Sequence, residues 1–487
     1  MFNSKTIRPL KTHKKRIRIC NFKQMDNKTN ELLLDYSTPK YMQNLHLDNG
    51  KLTSGLGLQS AEISFKSTVS FKLPNLPTGV TAEQLFVYYR YDRVLNIADN
   101  RLIIRSSTGE FYEASISKPS KEFNLIPTIK SQVDVFAINY RYNNEDLIMF
   151  CSKNLNLTVY NGSAINVISE APQITSITAH YNRVFVSTYG EGDVWFSDDY
   201  NPFNWNVSLN EAGYIKFSDK LGKTLKVLSY NDYVYIFREH GIYRLNAIGD
   251  QKDFELVKVL EINGKIYANS ICQVMDKIVF VTNVGMMIFD GYTAKLIQTN
   301  NLETTKILDE KLVASNFNNY YILAYIGTNF DAGDCANKNN RVLVYDTLKD
   351  ILEINKGISI LDIVPIRVNN TSNNLVLLNN NTSSKIYMLN FDGKVDNKGL
   401  MYRFETVNSY LSNLDKIKYI RNVKIFSKYD TTLTINIDGI KYEYNVKGSN
   451  SFTTVKVMKK GKLFGFSLSG TCSAEISGLE IQFDEVV

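Results

Sequence analysis

The sequence predicts an all-β fold, and three observations carry that prediction. Tyr and Phe number 30 and 26 among 487 residues. With many Ile, Val and Thr, they are the residues that suit a pleated, half-buried surface. Period-two alternation recurs, whereas capped runs of helical period are scarce, the best helix candidate being the short Ala82–Leu85. A compact strand–turn–strand unit also repeats along the middle of the chain.

Composition bounds the answer before any element is placed. At roughly 100–200 residues per domain the length fits two or three domains with a large core. With 22% charged and 12% aromatic residues, wholesale disorder is excluded. No apolar run approaches the roughly 18 residues of a membrane helix. The five cysteines (Cys20, Cys151, Cys272, Cys335 and Cys472) are widely spaced and odd in number. They suit a reducing compartment rather than a disulfide framework or a CxxC metal site.

The first 25 residues form a basic arm. They hold Lys5, Arg8, Lys11, Lys14, Lys15, Arg16, Arg18 and Lys23 and no acid, leaving 48 basic against 49 acidic residues elsewhere. The formal +7 is therefore a property of the arm, with a body near neutrality. Such an arm can bind nucleic acid or an acidic partner surface. Arg16-Ile17-Arg18-Ile19 also alternates, which reads as an edge strand with a solvated Arg face. No apolar stretch follows the basic one, so no secretory leader is expected. Residues 1–75 read as this arm plus a small β element, with turns at Asp48-Asn49-Gly50 and Ser54-Gly55.

The repeat fills residues 76–398. Its copies run Leu102–Tyr112, Leu147–Gly162, Val184–Ser197, Val234–Leu245, Ile278–Gly291, Tyr320–Asp346 and Leu375–Gly393, in steps of 45, 37, 50, 44, 42 and 55. A period near 40–50 in an all-β chain marks a β-propeller, whose four-stranded blades cannot cover both faces alone and pack around a ring. The expectation is about seven blades, within a range of six to eight. The first strand of each copy is continuously apolar. Its partner ends in an aromatic and a turn, as at Phe289-Asp290-Gly291, Tyr345-Asp346 and Phe391-Asp392-Gly393.

The tail, residues 399–487, reads as a C-terminal antiparallel β-sandwich. Leu433, Ile435 and Ile437 alternate toward Asp438-Gly439, and Ile440, Tyr442, Tyr444 and Val446 alternate away from it, which is a two-residue hairpin signal. Tyr419–Ser427, Leu463–Leu468 and Ile476–Phe483 supply further strands.

Chemistry-bearing patterns are sparse. His13, His46, His180 and His240 form no HxH, HExxH or HxxxH array, which argues against a His-based metal site or a Ser-His-Asp triad. No Walker loop or GxGxxG occurs, and Gly55-Leu56-Gly57 lacks a third glycine and a following helix. Asp331 and Asp334, with Asn337, Asn339 and Asn340, offer oxygen ligands for a hard cation, but the order of an EF-hand is missing; a solvated insertion is the simpler reading. A propeller glycosidase needs two carboxylates facing each other across the axis. Glu191, Asp193 and Asp198 are candidates, yet Ser197-Asp198-Asp199 reaches Trp205 without the internal Gly and Thr of a sialidase Asp-box. That segment reads as a structural turn closed by an aromatic. No cofactor, metal ligand or catalytic residue is assigned.

Three regions resemble one family. Asn182-Arg-Val-Phe-Val-Ser, followed by Val194-Trp-Phe-Ser-Asp-Asp-Tyr-Asn-Pro-Phe-Asn-Trp, resembles a blade of tailed-bacteriophage packaged-DNA stabilisation, tail-hub or tail-nozzle proteins. Asn44-Leu-His-Leu-Asp-Asn-Gly-Lys-Leu-Thr-Ser-Gly-Leu-Gly resembles the opening of that family, with Ser54 where a basic residue is expected. Arg403-Phe-Glu-Thr, Lys416, Val423-Lys-Ile and Leu433–Gly439 resemble its junction of propeller and sandwich. The resemblance implies a non-enzymatic virion protein at the head–tail junction or tail tube, assembled in the host cytoplasm. It implies a homo-oligomeric ring, usually hexameric, that meets the portal, its adaptor and other tail proteins. The ring would retain packaged double-stranded DNA and pass it at infection without reading sequence. Under that reading Lys5, Arg8, Lys11, Lys14, Lys15, Arg16 and Arg18 contact DNA or, by preference, a partner protein surface. The alternative is a glycan-binding or glycan-cleaving propeller, such as a receptor-binding tail protein. A WD or kelch scaffold is weaker still, because the Trp-Asp dipeptide and the double glycine are missing.

Overall fold

A computed structural model describes residues 12–26, 29–30, 33–65, 69–190, 192–209, 212–297, 312–327, 339–368, 371–380, 383–412, 414–471 and 473–486. Among them the regular structure is β, interrupted only by three-residue 3-10 turns such as Val207–Leu209. No helix is long and apolar enough to cross a membrane. Ala82–Leu85 is not helical. It opens the strand Ala82–Tyr88, because Leu85 and Val87 bury against one neighbour while Phe86 and Tyr88 bury against another. A two-sided apolar environment overrides local helix propensity.

The chain divides into two compact units, Ser60–Leu348 with Gly357–Met388, and Met1–Gln59 with Lys349–Lys356 and Leu389–Val487. The first unit is a succession of antiparallel sheets of the form of propeller blades, each made from consecutive strands. The first sheet places Ala82–Tyr88 beside Arg101–Ser106, then Glu110–Ser115 and Asn124–Lys130. Four-stranded sheets follow over 136–168, 174–215, 224–261 and 272–296, each with its strands in chain order. Strands Val313–Phe317, Tyr320–Tyr325 and Arg341–Asp346 come next, and then Ile360–Val368 leads into the last sheet.

The sequence repeat corresponds to the second and third strands of successive sheets. The second strand is apolar throughout because both of its faces are covered; Val184, Phe185 and Val186 are fully buried, as are Ile278 to Val281. A second signal precedes the five middle copies. The tight turn entering the apolar strand takes positive φ at Asn143, Asn144, Tyr181, Asn231, Met275 and Asn318. Asn tolerates that region better than other residues with a Cβ, which accounts for much of the Asn seen just ahead of the apolar runs. The last sheet packs on the first: Ile366, Leu375 and Leu377 share one core with Leu85, Val87, Leu102 and Ile104.

The second unit is two sheets over one core. Pro39–Gln43, Tyr402–Thr406, Phe464–Gly470, Thr431–Ile437 and Ile440–Val446 form one, in that order. The other runs Leu45–Asp48, Lys51–Ser54, Glu475–Val486, Ile417–Ser427, Thr453–Gly461, with Thr12–Ile19 also pairing along Glu475–Val486. The sheets meet over Phe22, Phe404, Leu433, Ile435, Phe466, Val423 and Ile481. The hairpin at Asp438-Gly439 has φ of 48° and 90°, pairing Ile437 with Ile440. Sequence reading sets arm, propeller and sandwich end to end, whereas here both chain termini contribute strands to the same two sheets.

Candidate functional site

The innermost strand of a propeller-type sheet leaves one edge of backbone N–H and C=O groups without a ladder partner, and each such group costs free energy if buried unpaired. In the 60–388 unit, side chains of adjacent innermost strands meet much of that need. Gln84 accepts from the Val135 amide at 2.9 Å and donates to its carbonyl at 3.2 Å. Asn139 donates to the Val87 carbonyl and accepts from the Tyr89 amide. Ser176 and Thr178 accept from the Val227 and Ser229 amides, each at 3.1 Å. Lys226 donates to the Ile271 carbonyl, Asn316 to that of Gln273, and Asn374 to that of Asn316. The last sheet returns to the first through Asp362, which accepts the Leu85 amide at 2.7 Å.

These strands line a cavity of about 1110 Å³, with walls that include Gln84, Phe136, Asn139, Asn316, Asp362 and Asn374. A second cavity of about 650 Å³ shares Asp134, Phe136, Lys226 and Asn269 with it. Asp134, Lys226 and Asp362 on these walls are bound into the scaffold. The buried Arg105 guanidinium bonds Gln84 and Asp134 and pairs with Glu83 at 3.0 Å. Burial pushes the Asp362 carboxyl up to about 6; the Leu85 and Ile363 amides and Arg105 pull the other way, and Asp134 adds to the rise. Burial lowers the Lys226 ammonium. Burial also raises the thiols of Cys151 and Cys272, the latter to about 11, so neither is an activated nucleophile.

The acids considered for glycan chemistry are placed apart along the chain's third sheet, as far as they are described. Glu191 lies outside the described residues. Asp193 and Asp198 flank opposite ends of the strand Val194–Phe196. Asp198 starts a tight turn: its amide donates to Asn204, and the indole N–H of the buried Trp205 donates to Pro202 at 3.0 Å. The histidines are dispersed. Nδ1 of His46 lies 2.9 Å from Glu353, that of His180 2.8 Å from Ser229, and that of His240 3.1 Å from Gly264. The His13 side chain lies outside the description. Asp331, Asp334 and Asn337 also lie outside the described residues, as do Lys5, Arg8 and Lys11. Among the described residues no group of three His, Cys, Asp or Glu side chains is placed to hold a metal ion.

The rest of the basic arm is the strand Thr12–Ile19. Lys15 pairs with the buried Glu485 at 2.8 Å, and Arg18 pairs with the buried Glu480. The bond from Lys15, then that from Ser412, holds the Glu485 carboxyl down at about 2. Lys14 and Arg16 are exposed and make no ion pair with the described residues. Sequence reasoning missed the neighbours of this strand, because the cations that share its face lie some 400 residues away.

No family model matches the chain, and no curated protein matches it. Solved structures similar to it include BBS1N in complex with ARL6DN, at 9% identity and TM-score 0.40 over 66% of this chain and 94% of that one. YCF48 bound to D1 peptide is similar at 10% identity and TM-score 0.40, over 67% and 97%. The Pan2 WD40 domain of Neurospora crassa is similar at 9% identity and TM-score 0.37, over 66% and 99%. At that distance they give this chain neither a function nor a partner.

Proposed function

We propose that the chain is a non-catalytic structural protein of a tailed-bacteriophage virion. It belongs at the head–tail junction or tail tube, in a homo-oligomeric ring, hexameric by preference, that retains packaged DNA and passes it at infection. In this reading the 60–388 unit is a seven-bladed propeller closed through Asp362 and Leu85, and the other unit is a two-sheet sandwich completed by the basic arm. The portal and its adaptor are the expected partners.

The observation that supports it best is the use made of the polar side chains lining the two cavities. Gln84, Asn139, Ser176, Lys226, Asn316, Asn374 and Asp362 hydrogen-bond neighbouring backbone. That is how a mechanical ring spends polar groups; an active centre aims them at one reacting atom. The motif run Asn182–Trp205 adds to it, since its most distinctive residues build one turn.

The test is the mass of the purified protein alone and on portal–adaptor complexes. A ring that joins those complexes is expected; a strict monomer that never joins them defeats the proposal. Tyr181 and Tyr200 are both exposed, with the Tyr200 amide donating to the carbonyl of Asn182 beside Tyr181, and they favour the glycan-binding alternative as a second reading. Release of reducing sugar from host polysaccharide, abolished by Asp198→Asn, would decide for it.

A further inference from the structure

The sheet containing the basic strand buries one face over the core and leaves the other to solvent. Register places the outward side chains in three rows. Arg18, Glu480, Lys424 and Thr454 lie abreast, as do Arg16, Gln482, Asn422 and Lys456, and then Lys14, Asp484, Tyr419 and Lys460. Arg421 bulges out beside Asp484, 3.2 Å away. The face thus holds seven cations against two carboxylates, a net of +5. Glu480 is taken by Arg18 and Lys424, and Asp484 by Arg421. Lys14, Arg16, Lys456 and Lys460 are exposed and make no ion pair with the described residues.

These four unpaired cations are not scattered. Two sit on Thr12–Ile19 and two on Thr453–Gly461, with two charge-balanced strands between. At about 4.8 Å per strand the two basic rows stand about 14 Å apart, and cations within the arm's row repeat about every 6.7 Å. Duplex DNA presents two phosphate ridges bordering a major groove about 12 Å wide. Apolar surface on this face is confined to two opposite corners, Tyr419 with Met458 and Phe426 with Phe452, and the ground between the two basic rows holds charged and amide side chains, without the central aromatic or aliphatic anchors on which protein interfaces depend. The amides at its centre are already engaged, Asn422 with Gln482 at 3.4 Å and Gln482 with Glu480 at 2.7 Å, which leaves base edges unread there.

We infer that this sheet face is a sequence-independent binding surface for the sugar–phosphate backbone of duplex DNA, with Lys14 and Arg16 on one ridge and Lys456 and Lys460 on the other. The inference stands on the charge and register of one sheet and does not require the virion role.

Fluorescence anisotropy of the full chain with a labelled duplex of about 30 base pairs and arbitrary sequence, between about 50 and 200 mM salt, tests it. Four phosphate contacts give a slope of log K against log salt of about −3.6. Lys456→Ala with Lys460→Ala should cut the slope by about 2 and weaken binding at low salt about tenfold or more, with an unchanged thermal melt. Lys121→Ala with Lys130→Ala, in the other unit, should change neither. Two results overturn the inference: a slope that the Lys456/Lys460 pair leaves unmoved, or displacement by polyglutamate at equal charge, which would mark a surface for acidic protein. Because the measurement uses the isolated chain, failure of the protein to join portal complexes leaves this result intact.

Discussion

The sheet at 224–261 and the sheet bearing the N-terminal strand hold their strands together by opposite means. In the first, four strands follow one another through short turns, and every ladder is local. In the second, Arg18 pairs with Glu480 across 462 positions of chain. Local ladders cost little loop entropy, so a repeated pattern can specify them one at a time. The second sheet exists only when both chain ends arrive together, so its strength lies in side-chain partners as much as in strand pattern. The charges differ to match. The 60–388 unit caps its inner edge mostly with neutral amides and hydroxyls, whereas the other unit uses cations on buried carboxylates.

The largest expected effect comes from removing the N-terminal strand. Deleting residues 1–20 takes away an eight-residue strand, the buried Ile19, and partners of Glu480 and Glu485. A melting temperature lower by about 10 °C is expected, at the usual few degrees per kcal/mol. Amide exchange should accelerate in 475–486 and stay unchanged in 224–261. Equal acceleration in both would show that the contrast between local and non-local construction does not govern stability.

A smaller effect is expected at a junction between adjacent sheets. Asn374→Ala removes donors to Ser315 and to the Asn316 carbonyl, stranding buried polar groups at a cost of about 1–3 kcal/mol. Exchange should rise in 313–317 and 360–368. A purely global loss, with no excess at those two strands, would count against side-chain capping as the device that joins the sheets.

The smallest effect is in the pH dependence, where the two units should show opposite signs. The folded Asp362 carboxyl sits at about 6, above its ordinary 3.8, so its contribution is greatest below about 4 and is lost as pH rises through about 6. Glu485 sits at about 2, below its ordinary 4.5, so its contribution is present above about 4.5 and is lost as pH falls toward 2. Asp362→Asn should therefore melt higher than the parent at pH 8 and converge with it near pH 4, while Glu485→Gln should melt lower at pH 8 and converge near pH 2. Melting curves of both variants across pH check the signs; parallel behaviour would mean that one of the two carboxyls is not where the ladder places it.

The amino-acid sequence by itself determined the β class, the strand pairs and the turns of the repeat. Alternation, Asp-Gly and Asn-rich turns act over a few residues, and Ile437-Asp438-Gly439-Ile440 needs no distant partner to read as a hairpin. The Asp198–Trp205 turn was legible for the same reason. Only the tertiary structure decided which strands become neighbours. Nothing in Arg16 or Lys456 says that they flank the same two strands, because register across hundreds of residues is set by how whole faces bury. The helical reading of Ala82–Leu85 failed on that point too: local propensity is worth tenths of a kcal/mol, whereas a strand buried on both sides is worth several.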